Sequence, residues 1–198
     1  MKIILILMLV GILLSGCRMP QTSEEQLEKK ANSQGKTSVE KIAIPTSWPL
    51  EKKLNPERKR WVVVIDRETS KFMRSAIKRC GVPGHRGLGL GGISEAEGFI
   101  QSGYPSIVTF SPDQISKKKS LRRIRKYHYL FILPITEIKK IVTEGKSVIV
   151  SRLEGESYIT LIAAPDKESL KKAIVRFLTL EKIPLEPIIF SVKTPTSQ

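Results

Sequence analysis

The chain has 198 residues, with 34 Lys and Arg against 19 Asp and Glu, and a formal net charge of +15. This length allows one domain with accessory segments, and two cysteines exclude the disulfide framework of a small secreted scaffold. The composition, with 13 Gly and 12 Pro, also excludes a collagen-like or wholly disordered chain, so the fold depends on a hydrophobic core.

The first residues predict a signal peptide. A basic start, Met1-Lys2, precedes the apolar run from Ile3 to Leu14, which is too short to span a bilayer as a mature helix. The run ends in Leu14-Ser15-Gly16-Cys17, which resembles the lipobox of bacterial lipoproteins. The resemblance implies that Cys17 becomes the lipidated first residue and that acyl chains such as palmitate anchor the protein in a membrane. The alternatives are an ordinary secretory signal and an uncleaved anchor with an incidental cysteine.

The residue after Cys17 bears on which membrane holds the anchor. It is Arg18, whereas the enteric signal for retention in the inner membrane has Asp at this place. We therefore expect an extracytoplasmic protein on the periplasmic side of the outer membrane if the cell has two membranes. In a cell with one membrane the protein would be displayed on the surface.

The chain is expected to divide into a signal peptide (1–16), a lipidated N-terminus with a flexible tether (17–60), an α/β domain (61–192) and a disordered tail (193–198). Residues 18–41 have few large apolar side chains and cannot bury enough surface to offset the entropy of ordering. Nearer the domain, Trp48 lies among prolines, which favours an extended arm docked on the domain through this residue. The alternative is an exposed tryptophan that binds a partner.

From Trp61 onward, short apolar runs alternate with amphipathic segments, as in a chain that builds crossover connections. This pattern predicts a three-layer α/β sandwich with a mostly parallel sheet. Asp166 is expected to cap the last helix, whose apolar stripe contains Leu170, Ala173, Ile174 and Phe177. We expect strands at 61–65, 106–110, 129–133, 147–153, 158–164 and 188–190, and helices at 68–79, 94–101, 112–126, 135–144 and after Asp166. Residues 81–92 are expected to form a glycine-rich loop.

The C-terminal half carries a second resemblance. Tyr129-Leu-Phe-Ile-Leu, Gly145-Lys-Ser-Val-Ile-Val and the stretch that begins Tyr158-Ile-Thr-Leu-Ile-Ala-Ala-Pro-Asp resemble the closing half of small α/β domains in surface-layer and cellulose-synthase periplasmic subunits. Those domains serve carbohydrate or envelope assembly. This chain has Pro134 where they carry a glycine-rich turn, so the resemblance supports the fold alone.

The glycine-rich loop is a candidate phosphate site, because Gly87, Gly89, Gly91 and Gly92 satisfy G-x-G-x-x-G. A dinucleotide fingerprint would follow its strand directly, and here a helix and a proline intervene. The alternative, a mobile surface loop, is therefore favoured, and no cofactor is expected.

Asp66 and His85 are weak catalytic candidates. Asp66 follows the first strand, where α/β sheets place ligand-binding residues, and His85 lies in the glycine-rich loop. The favoured interpretation is a turn carboxylate with a solvated histidine, so no catalytic residue is assigned. His128 is the only other histidine, so a His-rich metal site is excluded and no metal is expected. Cys80 is expected to be a buried small hydrophobe, the alternatives being intermolecular pairing and catalysis.

The densest positive charge falls on one predicted helix. Because Ile115, Leu121 and Ile124 can anchor that helix, its cations should face solvent, either as a plain solvated face or as a patch for an anionic partner. The cations are Lys117, Lys118, Lys119, Arg122, Arg123, Arg125 and Lys126.

Three functions follow from these observations. The favoured one is a membrane-tethered, non-catalytic binding or assembly module of the cell envelope. Its basic helix would contact an anionic polymer, lipid head groups or an envelope protein. The alternatives are a periplasmic enzyme that uses Asp66 and His85 near the loop, and nonspecific DNA binding in uptake or transfer.

Overall fold

A six-stranded sheet forms the centre of the part of the chain that the structure, a computed structural model, describes: residues 42–64, 67–82, 86–88, 93–110 and 132–192. Its strands lie side by side in the order β2-β1-β3-β5-β4-β6. They are β1 (Val62–Val64), β2 (Arg86–Leu88), β3 (Ser106–Phe110), β4 (Lys146–Glu154), β5 (Ser157–Ala163) and β6 (Ile188–Ser191).

The pairing of the strands confirms the mostly parallel sheet. β1 is parallel to β2 and β3, and β3 is parallel to β5. β4 is antiparallel to both of its neighbours, β5 and β6, so it is the one described strand that runs the other way. A tight turn joins β4 to β5 because Gly155, with φ 59°, adopts the positive φ that a two-residue hairpin turn needs at its first position.

Helices cover both faces of the sheet, which confirms the three-layer α/β architecture. They are α1 (Glu51–Leu54), α2 (Arg67–Arg79), α3 (Ile93–Gln101), α4 (Ile135–Thr143) and α5 (Lys167–Thr179). Side chains of α2 and α5 pack with Ile107 on one face, and side chains of α3 and α4 pack with Val108 and Phe110 on the other. β3 can serve both cores because successive residues of a strand point to opposite faces.

The last helix forms as expected. Asp166 caps α5: its carboxylate accepts a hydrogen bond from the backbone N–H of Ser169 at 2.7 Å and another from the Ser169 hydroxyl. The expected apolar stripe of α5 is fully buried. Its members are Leu170, Ala173, Ile174 and Phe177.

The packed unit begins at Ile42, before the boundary expected at residue 61. Trp48, Leu50 and Leu54 belong to the same buried cluster as α2 and α5, so residues 42–60 are part of the domain core. The expectation of a tether as far as residue 60 is corrected here, since these apolar side chains complete a layer of the core. Trp48 is only 5% exposed, which confirms its docking role and excludes an exposed aromatic.

Two further expectations need correction. The glycine-rich loop contains a strand, β2, because its backbone pairs with the free edge of β1 and thereby satisfies its hydrogen bonds. Ile132 and Leu133, expected in a strand, lie in a bend before α4. The expected helix at 112–126 and the rest of the expected strand, 129–131, lie outside the described residues, as do the signal peptide, residues 18–41 and the tail 193–198.

Candidate anion-binding cleft and basic helical face

Most residues singled out from the sequence lie outside the described ranges. These are Cys17, Asp66, His85, Gly89, Gly91, Gly92, Lys117, Lys118, Lys119, Arg122, Arg123, Arg125 and Lys126. Gly87 is described, and its backbone lies in β2 opposite Val63 of β1. β1 ends at Val64, which pairs with Leu88 of β2. In the sequence, Asp66 follows two residues after Val64, and Gly89 directly follows Leu88.

A different group of residues forms a cleft beside the start of β1. It begins with a turn that Asn55, only 2% exposed, closes by three hydrogen bonds. The side-chain amide of Asn55 donates to the Lys59 carbonyl at 2.6 Å, and its side-chain oxygen accepts from the Lys59 N–H at 2.9 Å. The carbonyl of Asn55 accepts from the Arg58 N–H at 3.1 Å. These bonds hold Arg58 at φ 53°, a left-handed conformation that is unfavourable for a residue with a side chain.

The turn presents consecutive cations to an opening that we call the Arg58 cleft. The opening has a volume of about 480 Å³, within the size range of small-molecule sites. It lies where the chain enters β1, and its lining also includes Phe99 of α3 and Tyr104, which precedes β3. The cleft is lined by Glu57, Arg58, Lys59, Arg60, Trp61, Val62, Phe99 and Tyr104.

Charge in the Arg58 cleft is only partly balanced. The ammonium of Lys59 lies 2.6 Å from the Glu57 carboxylate and 3.9 Å from that of Glu156 in the β4–β5 turn. The hydrogen bond with Lys59 lowers the pKa of Glu57, and the same bond raises the pKa of Lys59. The side chains of Arg58 and Arg60 are exposed and form no ion pair with another residue of the described ranges.

Aromatic rings form the apolar part of this cleft. Phe99 and Tyr104 contact each other edge to face, with ring centroids 5.4 Å apart. Trp61 is fully buried, and its indole N–H has no hydrogen-bond partner in the described structure. The indole N–H of Trp48 also has no hydrogen-bond partner in the described structure. Trp48 stacks on Trp61 and lines a second cleft of about 550 Å³, whose lining also includes Arg58 and Lys59. Two buried donors without acceptors are unusual for one small region.

The second feature is an asymmetry of charge between the two helical layers. α2 and α5 together carry nine Lys or Arg and two Glu, whereas α3 and α4 carry two Lys and three Glu. We call the cations of α2 and α5 whose side chains the structure describes the basic face. They are Lys71, Arg74, Lys78, Arg79, Lys167, Lys171, Lys172 and Arg176.

The basic face is a solvent-facing feature of both helices. On α2, Lys71, Arg74, Lys78 and Arg79 are exposed, because the buried stripe of this helix is formed by other positions. On α5, Lys171 forms an ion pair with Glu168 at 3.1 Å, and the guanidinium of Arg176 lies 4.1 Å from the centre of the Phe190 ring. A layer with this excess of positive charge attracts anionic surfaces and polymers.

Cys80 lies at the end of α2, beside the second cleft. It is half-buried against the core, and its thiol donates a weak hydrogen bond to the Pro45 carbonyl at 3.5 Å. Burial raises the pKa of this thiol, so the unreactive thiol form dominates at neutral pH. Cys80 packs against the core as expected of a small hydrophobe, but it is half-buried and not fully buried.

Sequence reasoning missed both features for identifiable reasons. The run Arg58-Lys59-Arg60 falls within the expected tether, although its position directly before the strand expected at 61–65 indicates a structured turn. The sequence shows that α2 and α5 contain these cations, but it does not show that both helices lie on one face of the sheet. That placement follows from the strand order.

The described ranges contain no cluster of three or more His, Cys, Asp or Glu side chains able to hold a metal ion. Within those same ranges, no helix is both long enough and apolar enough to cross a bilayer. Comparison with known proteins gave no match to any family model, curated protein or solved structure.

Proposed function

We propose that this protein is a membrane-tethered, extracytoplasmic lipoprotein that acts as a non-catalytic binding module in the bacterial envelope. Lipid on Cys17 would anchor the chain, and the polar segment that precedes Ile42 would link the anchor to the α/β domain. The domain would bind an anionic component of the envelope, either lipid head groups or a phosphate-bearing polymer.

The observation that carries the binding part of this proposal is the basic face. Its cations lie on one side of the sheet, while the opposite helical layer has slightly more acidic than basic residues. A domain with one strongly positive side has a preferred orientation toward an anionic surface, and each Lys or Arg near such a surface contributes about 1 kcal/mol. The basic helix expected at 112–126 would add to this attraction.

The lipobox supports the location. A chain that is tethered to a membrane through its N-terminus is held at a high effective concentration near lipid head groups and cell-wall polymers. Weak electrostatic contacts are then sufficient for binding. This makes an anionic envelope partner a better fit than a soluble partner that would have to be captured from dilute solution.

Binding to defined surfaces tests the proposal. Residues 18–198, which lack the lipidation site, would be sedimented with vesicles of phosphatidylcholine alone or with added phosphatidylglycerol, and mixed with soluble poly(glycerol phosphate). We expect binding only to the phosphate-bearing partners, and a loss of about tenfold or more in affinity between low and high salt. Binding to vesicles and not to the polymer would identify head groups as the source of phosphate, and the reverse would identify the polymer.

Two variants that remove the same amount of charge locate the contact. Changing Lys71 and Lys78 to Gln should weaken binding by about fivefold per cation, which corresponds to 1 kcal/mol each. Changing Lys139 and Lys140 of α4 to Gln removes two exposed charges from the other layer and should have little effect.

A third variant tests the expected basic helix, with Arg122, Arg123, Arg125 and Lys126 all changed to Gln. The proposal predicts that this change weakens binding further. Equal binding to neutral and anionic vesicles, or equal loss in the α2 and α4 variants, would contradict it.

A further inference from the structure

We infer that the Arg58 cleft is a binding site for a small anion that carries a ring, such as a sugar phosphate or a nucleotide. This site is separate from the electrostatic contact proposed above, because a cleft encloses a small molecule whereas the basic face would meet a surface. The inference rests on the charge, shape and backbone of the cleft.

Charge indicates an anionic ligand. Glu57, the one acidic side chain that lines the cleft, is already neutralised by Lys59 at 2.6 Å. Arg58 and Arg60, which flank Lys59 in the sequence, also line the cleft and have no carboxylate partner among the described residues. Guanidinium groups bind phosphate and carboxylate oxygens through parallel hydrogen bonds, so two of them beside one opening favour a ligand of this type.

The wall of the cleft indicates that the ligand also has a ring. Phe99 and Tyr104 are half-buried and present aromatic surface to an opening of about 480 Å³. Inorganic phosphate would fill little of that volume and would leave the aromatic side chains uncovered. A sugar or base would cover them, and aromatic side chains contribute through stacking on the flat face of such rings.

The backbone of Arg58 supports a role in binding. This residue is held at φ 53° by the hydrogen bonds of Asn55, although a glycine would adopt that conformation without strain. Strained residues that are fixed by their surroundings are typical of ligand-binding positions. The side chain of Arg58 is therefore kept at a position where the fold itself would be better served by glycine.

Tryptophan fluorescence provides a local measurement of binding. The chain has two tryptophans, Trp61 in the cleft and Trp48 stacked on it with centroids 4.6 Å apart, so a ligand in the cleft should change the emission of the whole protein. The full chain, purified in detergent, would be titrated with glucose 1-phosphate, adenosine monophosphate, inorganic phosphate and glucose. Isothermal titration calorimetry on the same samples would give the dissociation constants independently.

The expected result is a saturable change with at least one of the two ring-bearing phosphates, and affinity at least tenfold higher than that for inorganic phosphate or glucose. Preference for the sugar phosphate or for the nucleotide would identify the source of the ring. The inference is overturned if neither ring-bearing phosphate saturates by roughly 10 mM, the limit of a weak specific site, or if inorganic phosphate binds as tightly.

Variants separate the cleft from general electrostatics. Changing Arg58 and Arg60 to Gln should weaken binding at least tenfold, whereas changing Lys71 and Lys78 to Gln removes the same charge from the basic face and should change affinity less than twofold. Arg58→Gly relieves the strained backbone, so it keeps the fold and should still lose affinity. Equal affinity in the Arg58 and Lys71 variants would overturn the inference without affecting the proposal for the basic face.

Discussion

Trp48 and Trp61 stack with their ring centroids 4.6 Å apart and their planes inclined by 33°. Trp48 also contacts Phe177 of α5 edge to face, at 5.4 Å. One residue of the N-terminal arm is thereby joined to the start of β1 and to the last helix. This contact explains why the domain includes residues 42–60.

Loss of the Trp48 ring should therefore destabilise the whole domain. Trp48 is 5% exposed, and replacing a buried tryptophan with alanine costs about 3–5 kcal/mol through lost burial and the cavity that remains. Trp48→Ala should lower the free energy of unfolding by this amount in urea titrations, and Trp48→Phe by less. Leu185→Ala is the control, because Leu185 is 61% exposed. A cost for Trp48→Ala below about 1 kcal/mol, as for a surface residue, would show that the arm is not part of the core.

The strained backbone of Arg58 predicts a substitution that stabilises the protein. Glycine accepts φ 53° without a clash of its Cβ, so Arg58→Gly should raise the free energy of unfolding by about 0.5–1 kcal/mol. Arg58→Ala keeps the Cβ and should give no such gain. Thermal unfolding followed by circular dichroism measures both. If the glycine variant were less stable than the alanine variant, the left-handed conformation of this residue would be refuted.

The pair of Glu57 and Lys59 predicts a dependence of stability on pH. The pKa of Glu57 is lower in the folded protein than its ordinary value of 4.5, because Lys59 donates a hydrogen bond to its carboxylate. The contribution of this group to stability is therefore present above pH 4.5 and is lost as the pH falls through the lower, folded pKa.

Glu57→Gln should remove that contribution. The difference in stability between the parent protein and Glu57→Gln should be largest near neutral pH and should shrink under acid conditions, when measured by urea unfolding across the acid range. Glu181→Gln, at an exposed carboxylate without an ion pair in the described structure, is the control. A difference that stays constant across the range would show that Lys59 does not hold the Glu57 carboxylate in solution.

Cys80 should react slowly with alkylating reagents. Burial raises the pKa of its thiol above 9.0, so the reactive thiolate is scarce at neutral pH, and packing against the core limits access. In residues 18–198, where Cys80 is the only cysteine, labelling by iodoacetamide at pH 7.5 should be at least several-fold slower than in denaturant. Equal rates in the two conditions would contradict the packing of Cys80 against the core and would favour a reactive role.

The sequence was sufficient to predict the elements whose side chains follow a clear period. β3 was expected at its observed bounds, and the cap and apolar stripe of α5 are local patterns that a sequence displays directly. β2 was missed because Arg86–Leu88 has no apolar period. Its place in the sheet depends on hydrogen bonds of the backbone to β1, which the sequence does not record.

The candidate site was harder to predict than the fold. Asp66, His85 and the expected basic helix can be recognised from the sequence because titratable or positively charged side chains are found there. The Arg58 cleft joins residues 57–62 to Phe99 and Tyr104, and this proximity arises from the parallel pairing of β1 with β3. Contacts between segments distant in the chain follow from topology, so local patterns could not reveal them.

The most direct test of the account is the chemical identity of the mature N-terminus. The protein would be expressed with its own signal peptide in a bacterium, extracted from membranes and measured by intact mass and N-terminal peptide mass spectrometry, beside Cys17→Ser. The account predicts a chain that begins at Cys17 with a diacylglycerol on its sulfur, and no lipid on the variant. A chain that starts at another residue, or an unmodified Cys17 in the mature protein, would contradict it.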